Sequence, residues 1–341
     1  MTQHAIALCM GMHVLALASG GALGQTVESF YHGKTISMLI GYPPGGANDA
    51  YGRLVARHLG RHIPGSPTVV AMHMPGAGSL RAANHIFSAA PKDGTVLGLL
   101  VPTMPLEAKL GATAAKFKAS QFQWIGRLAT ATSITFLMGT TQVRSIDDAF
   151  ARVAVLGATG RSATNAVYPT VLNNVLGTKF QIVTGYEGSA AAMIAMERGE
   201  VDGHSATLEV LKAVRPDWLS AKKINIVVQY AVRRNAELPD VPTAVELGRT
   251  DEQKAILRAV ASGGEIGKFV LTTPQTPTDR VQALRRAFDA MVREPAFVAE
   301  ARELRIVMDP LRGEQIQQMV EEVEALSPEI TEKVKAIYPL N

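Results

Sequence analysis

Cysteine is almost absent from this sequence, since the only one is Cys9, close to the N-terminus. A disulfide needs two cysteines, so the chain forms no internal disulfide, and cysteine usage says nothing about the redox state of its surroundings. Aromatic residues make up only 6%, the net charge is +4, and basic residues are scattered. These features exclude a stacking platform for nucleic acid, and we predict no nucleic-acid partner.

The first residues lack charge altogether. Residues 5–24 contain no Lys, Arg, Asp or Glu, and small residues stand three and one positions before Gln25. This pattern is typical of a secretory signal peptide, although His4 replaces the usual Lys or Arg of the n-region. We therefore predict a cleavable signal peptide over residues 1–24, with an uncleaved anchor as the alternative. The body of the chain has no second apolar run of such length.

The stretch SMLIGYPPGGANDAYGRLVARHL, residues 37–59, predicts a strand, a Pro/Gly turn and an amphipathic helix. The apolar run stops at Gly41, and helical periodicity begins after Gly46. Free N–H groups at the start of such a helix point into the turn, and the helix dipole adds positive potential there. The turn is therefore a candidate site for a small anion, and a plain connection between strand and helix is the alternative.

The same arrangement returns at residues 68–87, with a turn at 75–78 and Ser79 as the expected N-cap. Because parallel strands place such turns at one sheet edge, both turns should face one cleft. Further alternation of strands and helices predicts two Rossmann-like α/β lobes joined by two crossover segments. We predict that residues 25–129 and 236–341 form the first lobe and that residues 130–235 form the second.

A nicotinamide enzyme is the main alternative. The loop GATGRSA at 157–163 fits the loose nucleotide fingerprint G-x-x-G-x-x-A, and Glu187 follows the next predicted strand, where it could meet a ribose. Such a protein would be a periplasmic or cytoplasmic NAD(P)-dependent enzyme. A serine hydrolase is not predicted, because Ser162 lacks the second glycine of a nucleophile elbow.

Histidines offer little metal chemistry in this sequence. His58 and His62 stand four residues apart on the opening helix, but no third ligand follows them, so a solvated helix face and no metal are predicted. Asp202 and His204 follow a predicted helix in a glycine-rich loop. They could line the cleft and set ligand polarity, or they could be exposed turn residues. Tyr186, at a strand tip, is a candidate cleft wall.

Six motifs in order resemble the substrate-binding proteins of tripartite tricarboxylate transporters, the Bug family. They are GYPPGGANDAYGRLVARHL (41–59), HMPGAGSLRAANHI (73–86), PKDGT (91–95), GRSATN (160–165), GYEGSAAAMIAMERGEVDG (185–203) and DVPTAVELG (240–248). The second turn departs from the family pattern, because His73 stands near the place of an asparagine and the paired glycines after the alanine are missing.

The resemblance implies a periplasmic, two-lobed binding protein of the type II fold that captures a carboxylate and delivers it to membrane permease subunits. It implies no enzyme activity and no cofactor, and we expect a monomer. The implied ligand-binding residues are Tyr42, Pro43, Gly45, Gly46, Ala47, Asn48, Asp49, Gly76, Ala77 and Gly78 in the first lobe, and Thr159, Ser162, Asn165, Tyr186 and Asp202 in the second. His204 joins this set from its position beside Asp202.

Overall fold

Strands and helices alternate along the chain, and the structure, a computed structural model, describes residues 25–161 and 163–338. The strands are β1 (Thr35–Ile40), β2 (Thr68–His73), β3 (Val96–Leu99), β4 (Gln123–Ala129), β5 (Ser133–Met138), β6 (Ala154–Ala158), β7 (Phe180–Thr184), β8 (Gly203–Thr207), β9 (Ile224–Tyr230), β10 (Lys268–Thr272) and β11 (Leu311–Arg312). The helices are α1 (Val27–Tyr31), α2 (Ala47–His58), α3 (Leu80–Ser88), α4 (Met104–Lys109), α5 (Ile146–Ala151), α6 (Thr164–Leu176), α7 (Ser189–Glu197), α8 (Leu208–Val214), α9 (Asp217–Ser220), α10 (Asp251–Ile266), α11 (Thr278–Met291), α12 (Pro295–Glu303), α13 (Gly313–Glu324) and α14 (Pro328–Ile337).

The strands form two sheets, one in each lobe. The first sheet has the order β11-β4-β10-β3-β1-β2, and the second has the order β7-β6-β8-β5-β9. In the first sheet β1 is parallel to β2 and β3, whereas β10 runs antiparallel to β3 and β4. The chain passes from β4 to β5 through residues 130–132 and returns from β9 to β10 through residues 231–267. The two crossovers predicted from the alternation are therefore present.

Helices cover both faces of each sheet, so each lobe has an apolar core on either side. In the first lobe, one cluster includes Leu54 and Leu284 from α2 and α11, and the other joins α3 to α13. In the second lobe, α7 and α8 cover one face, and α6 covers the other together with α10 and α14. The predicted division assigns α10 and α14 to the first lobe, and its residue boundaries remain a prediction.

Strand β8 is absent from the sequence-based prediction, which has a loop over 199–203. Its sequence, GHSAT, has no large apolar residue and only one β-branched residue, Thr207, because the strand is buried through small and polar side chains. Ser205 illustrates this, since its hydroxyl oxygen lies 2.7 Å from that of Thr135 on β5. His204 is therefore in a strand and fully buried, and the expectation of a loop residue is wrong.

The predicted solvated face of α2 is also wrong at His58, which is only 4% exposed. Its two ring nitrogens lie 3.1 Å from a carboxylate oxygen of Glu294 and 2.6 Å from one of Glu300. His62 lies 3.1 Å from the same Glu294 oxygen. These contacts hold α2 to the segment around α12, more than two hundred residues later in the chain, which is why local spacing could not reveal them.

No helix within residues 25–161 and 163–338 has the length and apolar character needed to cross a membrane. The predicted signal peptide, residues 1–24, lies outside the described residues.

Candidate functional site

Two Pro/Gly turns lie side by side at one edge of the first sheet. Because β1 and β2 are parallel and pair Ile40 with His73 at their ends, the turns that follow, 41–46 and 74–79, leave the sheet together. The first turn leads into α2 and the second into α3. The structure thus brings together the ten first-lobe residues that the resemblance implies.

A close contact between Gly41 and Ser79 joins the two turns. The Ser79 hydroxyl donates a hydrogen bond of 2.8 Å to the carbonyl oxygen of Gly41. A Cβ atom on residue 41 would lie 2.5 Å from this hydroxyl oxygen and 2.7 Å from the Ser79 Cβ, so only glycine fits there. Ser79 occupies the N-cap position of α3, as predicted, but its side chain bonds the first turn instead of the helix.

The second turn has an unusual backbone. Gly76, Ala77, Gly78 and Ser79 have φ angles of 133°, 46°, 59° and 73°, four successive residues in the region that favours glycine. Left-handed geometry costs about 1–2 kcal/mol at a residue other than glycine. Strain of this kind is concentrated at ligand-binding loops, and here it keeps the turn 76–78 exposed beside the first turn.

Both helices that begin at these turns have open N-termini. The N-cap of α2 is Gly46, and no side chain of the described residues caps either α2 or α3. The first N–H groups of α2 consequently have no acceptor within the helix, whereas the first two of α3 donate to carbonyl oxygens of the turn 76–77. Both helix dipoles add positive potential. The side-chain oxygen Oδ1 of Asn48 is buried there and accepts no hydrogen bond from any described residue. The turns therefore offer backbone donors and one acceptor to a small anion.

Asp49 is committed to the shape of the first turn. Its carboxylate accepts hydrogen bonds from the Gly45 amide at 2.8 Å, from Arg53 Nε at 2.8 Å and from His73 Nε2 at 2.7 Å. Burial by itself would raise the pKa of Asp49, but the bonds from Gly45, His73 and Arg53 together lower it below its usual value. The negative charge of Asp49 is thus satisfied by donors within the protein, and the residue stabilises the turn from the interior.

Replacing Asp49 with alanine should lower the free energy of unfolding by about 1–2 kcal/mol, because three donors lose one buried acceptor. The pKa of this carboxyl is below its usual value of about 3.9 in the folded state. The stabilisation is therefore present above pH ~4 and is lost as the pH falls through the lower, folded-state pKa. Urea unfolding at pH 7 and pH 3 measures both effects, with Arg53→Ala as the control for the exposed partner. If the wild type and Asp49→Ala were equally stable at pH 7, this role of Asp49 would be contradicted.

The second lobe repeats the arrangement of turns. Strands β6 and β7 are parallel and pair Ala158 with Thr184 at their ends, so the turns into α6 and α7 leave one edge together. Among residues 25–161 and 163–338 no side chain caps either helix, and the N-cap of α7 is Gly188. At the carboxyl edge of its sheet, each lobe therefore presents the open N-termini of two helices. Each of these helices is nine residues long or longer.

Thr159, Asn165 and Tyr186 meet at this second edge. The Asn165 side-chain oxygen accepts a 3.2 Å hydrogen bond from the Thr159 amide, and its nitrogen lies 3.3 Å from the Thr159 hydroxyl. The Tyr186 ring packs on Gly157, where a Cβ atom would lie 3.0 Å from the ring. Asn165 thus stabilises the turn, and Tyr186 forms a wall beside it. Ser162 lies outside the described residues.

Asp202 is not brought together with this group. Its carboxylate accepts a 2.8 Å hydrogen bond from the amide of Val155, near the beginning of β6, whereas the turn follows the end of that strand. Asp202 therefore joins β6 to β8 at the opposite edge of the sheet. The prediction that it meets the ligand placed it in a loop and did not foresee β8.

His204 supports the site from the interior of the sheet. Its Nδ1 donates a 2.7 Å hydrogen bond to the carbonyl oxygen of Gly157, the residue on which Tyr186 packs. Burial lowers the pKa of His204, so the ring is neutral at pH 7. Its Nε2 is buried and has no partner among the described residues. His204 and Tyr186 therefore both contact Gly157, His204 through a hydrogen bond and Tyr186 through packing of its ring.

Sequence reasoning missed three charged residues between the lobes. Lys268 begins β10 and pairs with Ala129, the last residue of β4, which places it at the same edge as the first-lobe turns. Glu209 lies in the first turn of α8. Glu107 lies on α4, and burial raises the pKa of its carboxyl group. Burial also raises the pKa of Tyr42, and the negative charge of Glu107 adds to that rise. Nothing in the local sequence distinguishes these residues from surface charges.

One cavity lies apart from the four turns. A cavity of 360 Å³ between α10 and α13 is lined by residues such as Arg258, Ala259 and Met319, and it shares no residue with the turns. Within the described part of the chain, no group of three or more His, Cys, Asp or Glu side chains could hold a metal ion.

Comparison with known proteins gives one family and several relatives. A family model described as tripartite tricarboxylate transporter family receptor matches residues 53–335. Protein BugT of Bordetella pertussis is 24% identical over 246 residues, which cover 68% of this chain and 71% of BugT. The family resemblance identified from the six motifs is confirmed.

Solved structures show the same fold at low identity. A TctC solute-binding protein from Polaromonas superposes with a TM-score of 0.68 at 18% identity, covering 89% of this chain and 97% of that protein. An R. palustris protein solved with adipate gives a TM-score of 0.61 at 20% identity, covering 89% and 97%. These likenesses confirm the predicted two-lobed α/β fold of periplasmic binding proteins.

Proposed function

Because this chain belongs to the tripartite tricarboxylate transporter receptor family, a family of solute-binding proteins, we propose that it captures a small carboxylate between its lobes. The observation that carries the proposal is the pair of open helix N-termini at the Gly41–Ser79 contact, where backbone N–H groups and two helix dipoles converge. Backbone amides favour a charged acceptor, and each charge-assisted hydrogen bond contributes roughly 1.5–3 kcal/mol.

The proposed ligand-contacting residues are exposed or half-buried residues of the turns. In the first lobe they are Tyr42, Pro43, Gly45, Gly46, Ala47, Asn48, Gly76, Ala77 and Gly78, and in the second they are Thr159 and Tyr186. Asp49, Asn165, Asp202 and His204 make hydrogen bonds inside the protein, and we assign them to the support of these turns. In the first lobe, ligand charge is then neutralised by backbone dipoles, because the turns 41–46 and 74–79 contain no basic residue.

The nicotinamide-enzyme alternative finds no support in the family. Gly157 and Ala158, which begin the loop that suggested it, are the last residues of β6, and the ring of Tyr186 packs on Gly157. We propose that the protein binds its ligand without chemical turnover. Purified protein that consumed a carboxylate or a reduced nicotinamide would overturn this part of the proposal.

We further propose that the protein works in the periplasm as a monomer and delivers its ligand to integral membrane permease subunits. Support comes from the family, whose name describes a transporter receptor, and from the predicted signal peptide. Two lobes joined by two crossovers can close by hinge motion, which would present one closed surface to a permease.

A matched set of ligands tests the proposed chemistry. Adipate and malate should raise the melting temperature, because a ligand at a hundred times its Kd stabilises the folded state by about 2.7 kcal/mol. Dimethyl adipate keeps the carbon skeleton and masks both charges, so it should give no stabilisation. Thermal unfolding followed by titration calorimetry measures both effects. Stabilisation by sugars or polyamines alone, or equal stabilisation by the diester, would contradict the proposal.

A further inference from the structure

Two charged side chains lie on either side of the first crossover, and neither has an ion-pair partner among the described residues. The ammonium of Lys268 has no carboxylate within 4.0 Å among the described residues. One carboxylate oxygen of Glu209, Oε2, is buried and accepts no hydrogen bond from them. Lys268 belongs to the first lobe and Glu209 to the second. We call these two residues the crossover pair.

Hydrogen bonds place both residues beside the crossover 130–132. Lys268 pairs with Ala129, the residue before the crossover, in the strand ladder between β10 and β4. Leu208, the neighbour of Glu209, donates a 3.0 Å hydrogen bond to the carbonyl oxygen of Thr132, the last crossover residue. Three residues of chain therefore separate the backbone contacts of the two lobes. Side chains as long as lysine and glutamate can span such a gap.

The charges also influence each other. Burial lowers the pKa of Lys268, and the carboxylate of Glu209 opposes that effect. Burial raises the pKa of Tyr51 on α2, and the same carboxylate adds to the rise. The directions of these pKa shifts agree with the position of Glu209 beside the crossover.

Unpaired charges in partly buried places are unfavourable, because water is removed and no opposite charge replaces it. A buried polar group without a partner calls for an explanation, such as a functional role or an ordered water or ion. Hinge closure moves the lobes towards each other, and displacements are smallest beside the crossover. Closure at this hinge can therefore bring the ammonium and the carboxylate together.

We propose that Lys268 and Glu209 form an ion pair across the two lobes when the lobes close on a ligand. Neither side chain touches the ligand in this arrangement, so both are positioning residues whose pairing favours the closed form. The inference rests on the proposed function only in taking a carboxylate as the ligand that closes the cleft. Ligand affinity should therefore depend on the two charges jointly.

A double-mutant cycle tests the joint dependence, with adipate as the probe. Lys268→Met and Glu209→Gln should each weaken adipate binding about fivefold, and the double variant should bind no more weakly than either one. The charge exchange Lys268→Glu with Glu209→Lys should recover most of the affinity. Lys333→Met removes a lysine from an exposed ion pair elsewhere and should have no effect. Circular-dichroism melting of each variant shows that it is folded.

Other outcomes of the cycle would overturn the proposal. If Lys268→Met weakens binding while Glu209→Gln strengthens it, Lys268 contacts the ligand carboxylate directly and Glu209 repels it. The charge exchange would then abolish binding instead of restoring it. Affinities equal to that of the wild type in all variants would mean that the pair does not form.

Interlobe distances separate a failure of this proposal from a failure of the proposed function. Cysteine occurs only at position 9, so a Cys9→Ser protein accepts spin labels at Glu303→Cys on α12 and Asn174→Cys on α6. The closed population should fall in Lys268→Met and return in the charge exchange, with or without adipate. If adipate does not bind the wild type, the ligand class is wrong, but the distances still test the pair. Identical distance distributions in all variants would overturn the ion pair alone.

Discussion

Replacing Ala47 with proline should weaken carboxylate binding about ten- to a hundredfold while leaving the protein folded. Ala47 is the first residue of α2, an exposed position where proline is well tolerated because its N–H has no helical acceptor. The preceding residue, Gly46, has φ −93° and ψ 174°, which is compatible with a following proline. The substitution therefore removes one backbone donor from the proposed site and little else.

Two controls isolate that donor. Ala47→Ser changes the side chain and keeps the N–H, so it should bind as the wild type does. Thr278→Pro places proline at the same position of α11, which follows β10 and so begins at the opposite edge of the sheet. It should leave affinity unchanged. Calorimetry with adipate gives the three dissociation constants. Wild-type affinity in Ala47→Pro would mean that the N-terminus of α2 does not hold the ligand.

Replacing Gly41 with alanine should lower the free energy of unfolding by about 1–3 kcal/mol, the usual cost of overpacking. The new methyl group would lie 2.7 Å from the Ser79 Cβ and 3.1 Å from Leu100, so the two turns would have to separate. Ligand affinity should fall with stability, because the open N-termini of α2 and α3 would move apart. Denaturant unfolding and calorimetry on the same samples measure both quantities.

A second substitution should reverse this damage. Ser79→Gly removes the atoms that clash with residue 41, and glycine adopts the φ of 73° without strain. The lost hydrogen bond to Gly41 and the relieved strain are each worth about 1 kcal/mol, so Ser79→Gly alone should be nearly neutral. The double variant should be more stable than Gly41→Ala. If the double variant loses as much stability as the two single variants together, the contact between the turns is not the cause of the instability of Gly41→Ala.

The sequence revealed the turns of the site better than their supports. Glycine and proline mark the turns locally, and the same strand-turn-helix order in both lobes predicted which sheet edges would carry them. The roles of Asp49 and Asn165 depend on which amides fold back towards them, and composition does not show that. Ligand contact and support require the same residue types at the same spacing, so the two roles were assigned together.

Residues that depend on distant pairing could not be found from local pattern. His204 was placed in a loop because β8 has no apolar signature, and Asp202 was assigned to the wrong end of the sheet for the same reason. Lys268 and Glu209 lie on either side of the first crossover because β10 returns to the first sheet after the strands of the second. Such a placement is decided by strand order, which sequence periodicity does not contain.

That strand order also constrains the sequence of folding events. In the first sheet β4 pairs only with β10 and β11, so residues 123–129 have no sheet partner until residues 268–272 are available. The second sheet draws all five strands from residues 133–230, which form one continuous stretch. A chain that emerges from its N-terminus can thus complete the second sheet before the first, while α10 and α14, which cover one face of the second sheet, are added later.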